Sequence, residues 1–100
     1  MIDHYQTIPE LNIKGRINTP EEFDKIGLPK DLKGQTVLDI GCNAGAYLLE
    51  CRKRGAKHLV GVEPNEHWKQ IADKVLSSNN DFEIYPYVYA DKIFHKLSGF

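Results

Sequence analysis

The stretch Thr36-Val37-Leu38-Asp39-Ile40-Gly41-Cys42-Asn43-Ala44-Gly45 constrains this chain more than any other. An apolar run of strand length leads into a carboxylate, then a glycine-rich turn, then a helical pattern. A strand covered on both faces reads as near-continuous apolar sequence. The glycines let backbone approach a ligand where a Cβ would collide with it. In an open α/β sheet such a turn lies at the carboxyl end of a strand, where ligands bind.

The flanking sequence supplies matching elements. Thr19-Pro20-Glu21-Glu22 reads as a helix start, with Thr19 as cap, Pro20 at the first helical position and Glu22 closing a capping box. Gly27 and Pro29 end that helix. After the turn Lys33-Gly34-Gln35 comes the strand Thr36 to Ile40. A helix is predicted from Ala44 to Arg54, with Ala44, Tyr47, Leu48 and Cys51 on one stripe. Arg52, Lys53 and Arg54 suit its C-terminal dipole, and Gly55 suits a left-handed cap. A second strand runs from Lys57 to Val62 and reaches Glu63-Pro64. Asn65 caps a third helix, whose apolar positions Trp68, Ile71, Ala72, Val75 and Leu76 keep helical spacing. Phe82 to Ala90 alternates as a third strand, and Pro86 places it at a sheet edge.

The order α, β, α, β, α, β with right-handed crossovers implies a parallel sheet in the order 3-2-1. The expected fold class is therefore α/β, a three-layer Rossmann-like partial sheet flanked by helices, over residues 19–100. Residues 1–18 read as an arm, in which Ile8, Leu11 and Ile13 pack over the domain while Pro9 and Gly15 oppose regular structure.

Composition narrows the partners. A net charge of −1 gives no general attraction to nucleic acid or membrane surfaces. No apolar run approaches membrane-spanning length, and no signal peptide opens the chain. Two cysteines make no disulfide framework, which leads to an expected cytoplasmic setting. His4, His58, His67 and His95 show no metal-ligand spacing, so no metal is expected.

The glycine turn discriminates among cofactors. A dinucleotide fingerprint needs G-x-G-x-x-G, but Asn43 and Ala46 stand at the second and third glycine positions. The phosphate-loop pattern is absent. What is present is acid-x-Gly-x-(Gly/Asn)-x-Gly, as Asp39-Ile40-Gly41-Cys42-Asn43-Ala44-Gly45. This resembles motif I of class I S-adenosylmethionine-dependent methyltransferases. The chemistry agrees: that cofactor carries an ammonium and a sulfonium and no pyrophosphate, so a carboxylate at the strand end suits it. Glu63, 18 residues after Gly45, ends the next strand and can accept both ribose hydroxyls.

The resemblance implies cofactor contacts at Asp39, Gly41, Cys42, Asn43, Gly45, Glu63, Pro64 and Asp91, the last near the adenine amino group. It implies S-adenosylmethionine as cofactor and S-adenosylhomocysteine as product. It also implies a larger sheet, of which this chain supplies three strands; the strand facing the acceptor is expected beyond Phe100, so no catalytic residue is assigned. Nucleic acid enters only as a methyl acceptor. The strand Thr36 to Ile40 would then have an open edge, for which a homo-oligomer or a partner chain is expected. The alternative is a small non-catalytic module that binds S-adenosylmethionine or a nucleotide, or serves in assembly.

Overall fold

The computed structural model describes residues 6–16 and 18–87. The readings made for Ala90, Asp91 and the rest of 88–100 lie outside the described residues. The elements are α1 (Thr19–Ile26), β1 (Thr36–Ile40), α2 (Ala46–Lys53), β2 (His58–Val62), α3 (Glu66–Leu76) and β3 (Phe82–Tyr85). A short 3-10 turn, Pro9–Leu11, lies in the arm.

The strands form one parallel sheet with β2 in the centre. Asp39 stands opposite Gly61, and Gly61 opposite Ile84. This register sets the packing. Val37, Leu59, Phe82 and Ile84 share a face and join Leu48, Cys51, Ala72 and Leu76 in the core. A Cβ at Gly61 would come within 2.8 Å of Ile84 Cδ1 and 2.9 Å of both Cys42 Sγ and Leu48 Cδ1. Gly61 is therefore what lets α2 lie close on the sheet. The helix α2 also touches α1 and α3, so the helices seal one another as well as the strands. Fully buried side chains such as Phe23, Leu48, Leu59 and Leu76 each contribute roughly 1.5–3 kcal/mol of hydrophobic stabilisation.

The cap of α1 differs from the expected one. Asn18 is the N-cap, its side chain accepting from Glu21 N–H at 3.4 Å and donating to Glu21 Oε2 at 3.2 Å. Thr19 is already helical, and its hydroxyl accepts from Thr7 N–H at 2.7 Å, fixing the arm instead. Gly27 at φ 82° ends the helix as expected. Helix α2 begins at Ala46, because Ala44 and Gly45 belong to the glycine loop.

The arm is docked. Ile8 is buried and exchanges backbone hydrogen bonds with Ile13, while Leu11 is 49% exposed and does not pack. Glu10 pairs with Lys53 on α2. At its far end, β3 stops at Tyr85, with Pro86 and Tyr87 in a bend.

The C-terminal end of α2 is fastened by arginines. Arg52 donates Nε to Asp81 Oδ2 at 2.9 Å and Nη2 to Leu76 O at 2.8 Å. Arg54 donates Nη1 to Leu28 O and Pro29 O and Nη2 to Asp24, with its guanidinium 4.5 Å from the centre of the Phe23 ring.

Candidate cofactor-binding site

The glycine loop leaves β1 at Gly41 and enters α2 at Ala46. Two bonds hold its start to the neighbouring strand: Gly41 N–H and Cys42 N–H both donate to Val62 O, at 2.8 and 3.0 Å. Gly41, Asn43 and Gly45 have φ of 79°, 53° and 82°. Left-handed backbone of this kind suits glycine and, among other residues, asparagine. The two glycines are needed for different reasons. At Gly45 a Cβ would sit 3.3 Å from Ala72 Cβ, so its absence lets α3 pack on the loop. At Gly41 a Cβ would meet no protein atom within 4 Å, so its absence keeps space clear beside the strand end.

Two carboxylates face this loop. Glu63 is buried at 8% exposure, its Oε1 accepting from Asn43 N–H at 2.8 Å and its Oε2 from Asn65 N–H at 2.9 Å. It thus ties the glycine loop to the cap of α3, and each oxygen keeps a further lone pair. Asp39 shares the helix-facing side of the sheet with Gly61. Burial, and then the charge of Glu63, push its carboxyl up to about 6. Two acids in one half-buried site hold each other's charge at a cost that a cation would relieve.

Asn43 adds a second unmet demand: its side-chain oxygen is buried and has no hydrogen-bond partner among the described residues. Open space at Gly41, an unpaired oxygen at Asn43 and two carboxylates fit a ligand that carries hydroxyl donors and positive charge.

The remaining expected residues divide. Pro64 is exposed beside Glu63. Cys42 is fully buried, with its sulfur against the core, so only its backbone faces the loop. Burial, with the Asp39 and Glu63 charges, pushes its thiol up to about 12, and Cys51 is raised to about 11. Asp91 lies outside the described residues. Among the described residues no group of three His, Cys, Asp or Glu side chains could hold a metal ion, and no helix is long and apolar enough to cross a membrane.

One residue at the loop has no signal in the sequence. Gln6, from the arm, is buried, and its Oε1 accepts from Ala46 N–H at 3.0 Å. It caps α2, whose residue before the helix is a glycine with no side chain to do so. A separation of 40 residues and an aperiodic segment hid it.

Residues 18–96 match the family described as methyltransferase domain. The chain belongs to the class I S-adenosylmethionine-dependent methyltransferase family. It is 35% identical over 75 residues to tRNA U34 carboxymethyltransferase of Pseudomonas fluorescens, covering 70% of this chain and 23% of that one. It is 37% identical over 51 residues to protein arginine N-methyltransferase 1 of Dictyostelium discoideum, covering 51% of this chain and 15% of that one. Its backbone follows that of WbdD, solved with the kinase inhibitor LY294002, at a TM-score of 0.70 and 20% identity, over 94% of this chain and 24% of WbdD. That last likeness concerns the fold alone. The chain therefore spans a quarter or less of the length of these three proteins. Within this methyltransferase family, the carboxylates and glycines described above occupy the end of the sheet where the family's motif I lies.

Proposed function

We propose that this chain binds S-adenosylmethionine as the donor half of a methyltransferase, with the product S-adenosylhomocysteine leaving the same site. When bound, that cofactor supplies a methyl group made electrophilic by its sulfonium. Glu63 accepts the ribose hydroxyls through the lone pairs its backbone contacts leave over. Asp39, ionised, faces the donor's cationic groups. Gly41 gives the ligand room, Asn43 and Gly45 hold the loop, the Cys42 backbone and Pro64 border the site, and Asp91 is assigned to the adenine amino group. The observation that carries this reading is Glu63, which is buried, fixed by two backbone donors and aimed at the glycine loop. The acceptor stays outside the proposal, since the two named relatives act on different substrates, tRNA and protein arginine.

The rate gained would come mainly from holding the donor for in-line attack, which requires further protein surface for the acceptor. We assign the outer edge of β1 to that need. Among the described residues β1 pairs with β2 alone. Ile40 is 67% exposed at its end, and an apolar cavity of about 400 Å³ lined by Leu28, Pro29, Leu32, Val37 and Leu38 runs beside it. A second copy or a partner chain would cover this edge.

Calorimetric titration with S-adenosylmethionine tests the site. Binding that weakens in both Asp39→Ala and Glu63→Ala supports it; a folded chain that binds nothing refutes it. Light scattering tests the edge, a strictly monomeric species counting against a second copy.

A further inference from the structure

The two carboxylates and the glycine loop account for the ribose and for the positive charge of the donor. The donor's amino-acid end also carries a carboxylate, which neither Asp39 nor Glu63 can receive, because ionised acids only accept hydrogen bonds. An amino acid bound with its ammonium toward Asp39 must therefore turn its carboxylate elsewhere, toward donors.

Two independent observations mark such a place. The first is the N-terminal end of α2, directly after Gly45. The first turn of a helix leaves backbone N–H groups without intrahelical partners and favours negative charge. The second is Gln6, at 5% exposure. Its oxygen is held by Ala46 N–H, which fixes the orientation of the whole carboxamide. Its Nε2, with two N–H donors, makes no hydrogen bond among the described residues. A buried, oriented and unused donor pair beside a helix N-terminus is suited to an anion.

We propose that Gln6 Nε2 and the N-terminal end of α2 receive the α-carboxylate of the donor's amino-acid end. The arm then contributes a binding residue, and the zwitterion lies with its ammonium at Asp39 and its carboxylate at Gln6. This assignment rests on the S-adenosylmethionine reading above.

The test compares two probes on the full chain: S-adenosylhomocysteine, which has the carboxylate, and 5′-methylthioadenosine, which lacks the amino-acid carboxylate and ammonium. Gln6→Glu is the informative variant. Its carboxylate still accepts from Ala46 N–H, so the cap and the thermal midpoint are kept, but the donor pair is replaced by a like charge. Loss of one charge-assisted hydrogen bond predicts an affinity for S-adenosylhomocysteine lower by about tenfold or more. The affinity for 5′-methylthioadenosine should change less than about twofold, within the scatter of distant effects. Gln6→Ala, which also removes the cap, should weaken both probes. Equal losses for both probes in Gln6→Glu would show a purely structural role and overturn the assignment, as would no loss for either. If the wild-type chain binds neither probe, the cofactor reading and this assignment fail together. If it binds S-adenosylhomocysteine in a Glu63-dependent way but ignores Gln6→Glu, only the assignment fails.

Discussion

The two ends of α2 are built on opposite plans. At the C-terminal end, Arg52 and Arg54 meet two carboxylates, three carbonyls and an aromatic face, so donors and acceptors there answer one another. At the N-terminal end, Asp39 has a raised carboxyl, Asn43 a buried oxygen without a partner and Gln6 an unused donor pair. The same helix is thus anchored at one end and left unsatisfied at the other. Interactions that complete themselves stabilise a fold; polar groups held in place but incomplete are where a ligand adds the missing partners.

If the contrast is real, substitutions should separate stability from binding. The largest effect is expected at Glu63. Glu63→Ala removes the acceptors for Asn43 and Asn65 N–H, lowering stability by about 1–3 kcal/mol per orphaned buried donor, and it should abolish measurable binding of S-adenosylhomocysteine. Chemical denaturation and calorimetry check the two halves. Next is Arg52→Ala at the anchored end, which leaves Asp81 without its partner. It should cost about 2–3 kcal/mol, in the range for breaking a partly buried pair, with affinity within about twofold of wild type once the protein is folded. A large affinity loss there would erase the contrast.

Asp39 sharpens the comparison through pH. Its carboxyl is raised from 3.8 to about 6, so the folded chain binds more protons than the unfolded chain between those values. Stability should fall as pH rises through this window, while affinity for a cationic donor should rise as Asp39 ionises. Asp39→Asn should flatten both trends, gaining stability at pH 7.5 and little at pH 4. Thermal melts and titrations across pH 4–8 test the opposed slopes; parallel slopes would contradict the account. The smallest effect is expected at the thiols. Cys42 and Cys51, buried and raised to about 12 and 11, should react with a thiol reagent only as fast as the chain opens.

The anchored half was the less legible in sequence. Arg52 and Arg54 read as partners of a helix dipole; their actual partners, Asp81, Asp24 and the Leu28 and Pro29 carbonyls, are 25 to 30 residues away. No local pattern encodes such pairs. Strand β1 was legible to the residue, because its apolar run is bounded by a turn on one side and a glycine on the other. Asn65 was legible as a cap because nothing competed for it, whereas Thr19 was displaced by Asn18 once Thr7 claimed its hydroxyl. The third strand read too long, since alternation continues past Pro86 while the described pairing ends at Tyr85. In the site, Asp39 and Glu63 were visible as strand-end acids. Gln6 was not, because a lone buried glutamine leaves no periodic trace.

The most direct measurement is amide NMR of the labelled chain on addition of S-adenosylhomocysteine. The account predicts large shifts for the N–H groups of Gly41, Asn43, Gly45 and Asn65, with Arg54 and Gly55 at the other end of α2 nearly unmoved. Shifts concentrated at Arg54 and Gly55 or along the outer edge of β1, with the glycine loop silent, would contradict it.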